Sequence, residues 1–151
     1  MAIRVGARAA IVRDGSLLLI EYHDETGLHY NLPGGGVEDG ESIHEALRRE
    51  LHEEACIEHV EIGNLILTWE YVPQHYDFAY GTQQKLGLLF RCTIPDDDYP
   101  QLPQTPDPHQ TGVKWIPLNQ LSDIWLLPNI PHLLVPILRN EVQGTHLVSD
   151  I

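Results

Sequence analysis

Glu50, Glu53 and Glu54 are the residues of this chain best suited to do chemistry, and Arg49 stands directly before them. Offsets of three and four residues place the three carboxylates on neighbouring turns of one helix face, within about 100° of its circumference. Like charges that close repel and weaken a plain helix. A divalent cation among them removes the conflict, because hard cations such as Mg²⁺ take clustered carboxylate oxygens. The alternative is a solvated acidic face on an ordinary surface helix. The surrounding pattern counts against it: Ile43, Leu47 and Leu51 mark an apolar stripe, and Glu50 and Glu54 fall beside or between these residues. Carboxylates at the edge of a buried stripe are costly unless paired or metal-bound.

The element that must carry these glutamates is well delimited. Ser42 and Glu45 form a capping box, so the spacing predicts a helix over residues 43–55. Before it, Pro33 interrupts a strand and Gly34, Gly35 and Gly36 follow as a loop whose backbone can approach a ligand closely. Helices often end on a residue at positive φ, where glycine is favoured. Here that residue is Cys56, which is expected to bear the conformation at a cost of roughly 1 kcal/mol. Nothing in the sequence gives this cysteine a reactive partner.

With these residues set out, the stretch from Gly35 to Ile57 resembles the Nudix box, the signature of hydrolases acting on nucleoside diphosphates linked to another group. Gly35, Glu41, Arg49, Glu50, Leu51, Glu53, Glu54 and Ile57 stand in register with that pattern, and Cys56 replaces its glycine. The resemblance implies an α/β Nudix fold, an α/β/α sandwich with a mixed β-sheet and the box as its loop–helix unit. It implies Mg²⁺ or Mn²⁺ held by Glu50, Glu53, Glu54 and the backbone carbonyl of Gly34. Glu50 or Glu53 could take the proton of an attacking water, while Arg49 and Glu41 tie loop to helix or orient a carboxylate. In some relatives the base comes from a loop outside the box, for which Glu70, Asp77 and Asp107 are candidates. The implied activity is hydrolysis of a phosphoanhydride in a nucleoside diphosphate-X, of the ADP-ribose or nucleotide-sugar type, or in a (d)NTP. The second reading is a Nudix-fold sensor that binds a nucleotide without cleaving it, but the box carboxylates whose loss it would favour are intact.

The rest of the chain fits one domain over residues 1–142 with a tail at 143–151. Strands are expected at residues 3–13 and 16–22, joined by an Asp14-Gly15 hairpin turn, then at 28–32, 60–72, 85–94 and 113–117. Leu17 to Ile20 is an unbroken apolar run, as in a strand covered on both faces. A short helical turn is expected at 118–123 and a closing helix, interrupted by Pro136, at 130–142. Loops at 73–84 and 96–112 separate the later elements.

A formal net charge of −13 over 151 residues argues against long nucleic acid as a partner, since that affinity rests on Lys and Arg neutralising phosphates. It leaves room for a small nucleotide whose charge is masked by metal and a few local cations. Two cysteines give neither a disulfide framework nor a zinc spacing, and no stretch reaches membrane-spanning length. A cytoplasmic protein is the expectation, with a homodimer left open. For substrate contacts the sequence offers Arg8 and Arg13 for phosphate, Tyr30, Trp69 and Tyr71 for stacking on a base, and His75 with Tyr76 in the loop after the box. Pro73, sixteen residues after Ile57, resembles the proline placement of ADP-ribose pyrophosphatases. The remaining histidines, including His44 and His52 eight residues apart, lack a zinc-ligand spacing and are expected to be packed or hydrated.

Overall fold

The computed structural model describes residues 2–143 and 147–149. Its strands are β1 (Arg4–Arg13), β2 (Ser16–Asp24), β3 (Gly27–Asn31), β4 (Gly34–Gly36), β5 (Glu61–Tyr71), β6 (Lys85–Thr93), β7 (Gln110–Pro117), β8 (Leu126–Leu127) and β9 (Leu147–Val148); its helices are α1 (Ile43–Ala55) and α2 (Pro131–Leu138). The strands run in the order β8-β3-β2-β1-β6-β5-β9, with β4 added against β1 and β7 against β2. The sheet is mixed, because β1 pairs parallel with β6 and antiparallel with β2 and β4.

The two faces are covered by different helices. Ala7, Ala9 and Ile11 of β1, with Leu18 and Ile20 of β2, pack under Leu47, Leu51 and Ala55 of α1. The alternate residues Ala10, Leu17 and Leu19 face the opposite way, towards Leu134, Ile137 and Leu138 of α2. Leu17 to Ile20 are all 0% exposed, as their unbroken apolar run requires. The result is the α/β/α arrangement expected from the resemblance. Asp14 and Gly15 both take positive φ, the signature of a tight two-residue hairpin turn.

β1 is the strand on which the site depends. Its end at Val12 and Arg13 pairs with β2, whereas Gly6, Ala7 and Arg8 pair with β4. The sheet therefore parts along β1, and the gap opens beside the glycines that lead into α1. These glycines were expected to be a loop, but they form β4, because Gly34 lies so close to the Ala7 carbonyl that a Cβ there would overlap it. Other differences are also local. The closing helix ends at Leu138 rather than 142, with Pro131 in its first turn and Pro136 removing a hydrogen bond inside it. Leu147 and Val148, read as part of a tail, add a short parallel strand along β5, where Val148 is buried. Two-residue strands such as β8 and β9 have too few residues to show a period.

Candidate active site

Each expected signal of the box helix is present in α1. Ser42 accepts from the Glu45 amide while the Glu45 carboxylate accepts from the Ser42 amide, closing the capping box. Cys56 ends the helix at φ 57°, its amide donating back to His52. Arg49 is the hub of the acidic face. It grips Glu41 through Nε at 3.1 Å and Nη2 at 2.7 Å, and donates to the Gly36 carbonyl at 3.0 Å. Its Nη1 reaches Glu50 at 2.9 Å and Glu53 at 3.4 Å. The loop and the helix are thus locked by one guanidinium, and those hydrogen bonds hold the Glu41 carboxyl below its ordinary range.

The three glutamates occupy three environments. Glu53 is open to solvent, Glu50 is largely covered and Glu54 is 2% exposed. Gly34 N–H donates to Glu54 Oε1 at 2.7 Å and Tyr22 O–H to its Oε2 at 3.2 Å. Burial pushes the Glu54 carboxyl up to about 7 against the pull of Arg8 and the Gly34 amide. Burial also raises Glu50, opposed by Arg49. Gly35 leaves room for this crowding, since a Cβ there would strike the Glu50 carboxylate.

Among the described residues, no three His, Cys, Asp or Glu side chains are gathered into a ready metal cage. The Arg49 guanidinium is paired with both Glu50 and Glu53. The donor set nevertheless suits a hard divalent cation. Glu50 and Glu54 are covered carboxylates, Glu50 close enough to Glu54 to help raise its pKa, and among the described residues Glu54 has no salt-bridge partner. Buried charge of this kind calls for a counter-ion.

Across the gap lies a cationic wall. Arg8 donates to the carbonyls of Leu32 and Gly34, and its charge reaches Glu50 and Glu54. Arg4 lies over Gly36, where any Cβ would overlap its guanidinium. Lys85 is held below the ordinary lysine range by burial and by the positive charges of Arg8 and Arg4. Arg4, Arg8 and Lys85 line one cleft with Gly35 and Gly36, so cations and carboxylates meet at consecutive glycines.

The NUDIX domain pattern matches residues 3–138 of this sequence. The chain belongs to the Nudix family. Among its curated relatives is the nucleoside triphosphatase NudI of Escherichia coli O139:H28, 42% identical over 90 residues, which cover 53% of this chain and 59% of the relative. The match thus spans under two thirds of that relative's length. Solved Nudix structures superpose over most of the chain. The MutT Nudix hydrolase of Burkholderia pseudomallei is 26% identical, with a TM-score of 0.58 over 79% of this chain and 86% of that one. A UDP-X diphosphatase, 19% identical, shares the fold at a TM-score of 0.71 over 97% of this chain and 68% of the other.

Of the residues named from sequence outside the Nudix box, Arg8, Trp69 and Tyr71 line the cleft. Tyr30 does not. It is buried, its hydroxyl donates to Glu21, and the cleft position falls to Asn31, since adjacent strand residues face opposite ways. Arg13 is also elsewhere, stacked on Trp115 and donating to the Pro95 and Asp98 carbonyls. Tyr76 packs against Tyr71 and Tyr80 and donates to the Ser149 carbonyl, while His75 is exposed on the 3-10 turn Pro73–Tyr76. Among the loop carboxylates, Glu70 accepts from Ser149, whereas Asp107 lies near enough to Tyr22 to raise its pKa, after burial and Glu54. His44 packs edge-on against Phe90. Tyr80, in the polar-aromatic loop expected to touch ligand, lines the cleft as well, whereas Arg4, Asn31 and Lys85 were missed. Their sequence signal was no more than a cation or polar residue at a strand end.

Among the described residues, no helix is long and apolar enough to cross a membrane.

Proposed function

We propose that this chain is a metal-dependent pyrophosphohydrolase that cleaves a phosphoanhydride bond in a nucleotide, with nucleoside triphosphates as the first substrate class and nucleoside diphosphate-X compounds as the second. The observation that carries this reading is the meeting of buried carboxylates with three converging cations in a chain of net charge −13. Carboxylates alone would repel a polyphosphate, and cations alone would bind it without a means of cleaving it. The NudI relatives favour the triphosphate class.

Glu50, Glu53 and Glu54, with the Gly34 carbonyl, would hold Mg²⁺ or Mn²⁺. A bound cation supplies charge neutralisation of the phosphates and an acidified water. The other tasks fall to the chain. Arg8, Arg4 and Lys85 bind phosphate oxygens and fix the chain of phosphates along the cleft. Arg49, anchored by Glu41, aims Glu50 and Glu53. Glu53, or Glu50, accepts the proton as water adds to phosphorus and the bridging P–O bond breaks. Buried Glu54 stays fixed by Tyr22 and Gly34.

The test is product release from a panel of normal and oxidised (d)NTPs, ADP-ribose, nucleotide sugars and dinucleoside polyphosphates, with Mg²⁺, with Mn²⁺ and with EDTA. The expected outcome is metal-dependent turnover that EDTA abolishes. Tight binding without turnover of any member would instead make the chain a nucleotide sensor.

A further inference from the structure

Glu54 is held by its backbone as well as by its carboxylate. Gln110, 5% exposed at the start of β7, donates through Nε2 to the Glu54 carbonyl at 2.8 Å. The final carbonyls of a helix have no partner within it and must find one elsewhere. In α1 two of them are met from the loop and strand that follow β6: Glu54 by Gln110, and Ala55 by the Gln101 amide at 3.0 Å. The other end of the Gln110 side chain is occupied too, its oxygen accepting from the Asp107 amide at 3.3 Å. A buried amide is costly unless bonded, and one end of this one is committed to the backbone of a box glutamate.

The sheet is irregular at the point that aims this side chain. Along β2, Ile20 pairs with Val113 and Glu21 with Gly112, but Tyr22 pairs with Gln110, which leaves Thr111 as an extra residue. In regular pairing Thr111 would stand opposite Tyr22 and share its face; the bulge gives that place to Gln110. Thr111 is exposed, its hydroxyl donating to Glu21 Oε1 at 2.9 Å. Tyr22 and Gln110 therefore reach Glu54 side by side, the phenol at the carboxylate and the amide at the carbonyl. With the Gly34 amide, strands β2, β4 and β7 each bond a different oxygen of this one residue. Glu50 and Glu53 take their bonds from Arg49 on their own helix, whereas Glu54 is oriented from the sheet.

We propose that Gln110 is a positioning residue for the metal site: by fastening the Glu54 backbone to the sheet, it keeps the last turn of α1 where the Glu54 carboxylate can meet the cation. This rests on the reading of Glu54 as a metal ligand, and adds a residue outside the box on which metal affinity depends.

The test compares Mn²⁺ binding by the nucleotide-free protein, followed by electron paramagnetic resonance of the free ion, with Tm in EDTA. Gln110→Met keeps the length of the side chain and donates nothing. It should weaken Mn²⁺ binding about tenfold, the lower end of the loss seen when a group orienting a ligand is removed. The same substitution in the Glu54→Gln chain should change Mn²⁺ affinity by less than about twofold, because two changes acting through one group do not add. Arg91→Met, which removes a bond to the Ile137 carbonyl of α2, should lower Tm and leave Mn²⁺ affinity as it was. Should Gln110→Met not fold, Gln110→Ala carries the same comparison. A fall in Tm with unchanged Mn²⁺ affinity would make Gln110 a packing residue and overturn the proposal, as would a loss of affinity that persists in the Glu54→Gln chain. Unimpaired Mn²⁺ binding by Glu54→Gln alone would instead refute Glu54 as a ligand, and the proposal with it.

Discussion

On one wall of the cleft, Glu41, Arg49, Glu50, Glu53 and Glu54 come from a single stretch of chain, held in register by one helix and one guanidinium. On the facing wall, Arg4, Arg8, Asn31, Trp69, Tyr71, Tyr80 and Lys85 come from four strands and a loop. The first wall is rigid through local hydrogen bonds; the second exists only once the sheet has closed. Both use glycine in the same way. Gly35 makes room for the Glu50 carboxylate, Gly36 for Arg4 and Gly87 for Trp69. On the proposed reading, the difference teaches that the reaction and the choice of substrate are encoded separately, and that each wall can be damaged alone.

The largest effect is expected on the acidic wall. Glu53→Gln or Glu54→Gln should lower kcat by roughly 10²-fold or more, with the fold intact by circular dichroism, because each removes an anionic oxygen offered to the metal. Near-normal Mg²⁺-dependent activity in either variant would sink the metal assignment. Gly35→Ala comes next: its Cβ displaces the Glu50 carboxylate. A shift of about 1 Å in such a group costs on the order of 10²-fold in rate. The loss should fall on kcat and leave KM within about threefold.

The facing wall should answer in the opposite sense. Lys85→Ala or Arg4→Ala should raise KM by about tenfold, the worth of one charge-assisted phosphate contact, and leave kcat nearly unchanged. The KM of the unaltered chain should also rise with ionic strength more steeply than that of the variants. If kcat falls instead and KM holds, these cations act on the transition state, and the division of labour between the walls is wrong.

How much of each wall could be read in advance follows from the same difference. The capping box, the helix end at Cys56 and the order of the glutamates lie within one turn or two of each other, so sequence spacing reports their geometry directly. That is why the burial of Glu54 was legible as a carboxylate beside the Leu47 and Leu51 stripe. Asn31 and Lys85 become neighbours only through β1 pairing in parallel with β6 while β2 and β3 pair on its other side, a register no local pattern announces. Tyr30 was chosen for its ring, yet a strand turns neighbours to opposite faces, and a one-residue error in face exchanges Tyr30 for Asn31.

Glu54 also gives the acidic wall a pH dependence of its own. Its carboxyl sits at about 7 in the folded chain, against an ordinary value near 4.5, and Glu50 is raised as well. A group raised on folding lends stability that is complete below the ordinary value and fades as pH climbs through the folded one. The metal-free protein should therefore lose Tm between about pH 5 and pH 8, by an amount worth on the order of 2–3 kcal/mol. Mg²⁺ should flatten that slope by favouring the ionised form, and Glu54→Gln should remove most of it. A slope unchanged by Glu54→Gln would place the titrating group elsewhere.

The smallest effect belongs to the helix end, where Cys56 holds φ 57° in place of the glycine of the Nudix pattern. An L-residue with a Cβ sits in that region at a cost of about 1 kcal/mol, and glycine sits there without it. Glycine in turn has more freedom to lose on folding, which offsets part of the gain. The sulfur decides the balance, because Cys56 is only partly covered and Ile57, immediately after it, carries the burial on this turn at 2% exposed. With little packing to lose, Cys56→Gly should raise Tm slightly, by the equivalent of about 0.5–1 kcal/mol, and leave kcat and KM alone. A fall in Tm would show that the side chain is held by contacts worth more than the strain. A change in kcat would show that the end of α1 reaches the acidic wall, and that the two ends of the box helix are coupled.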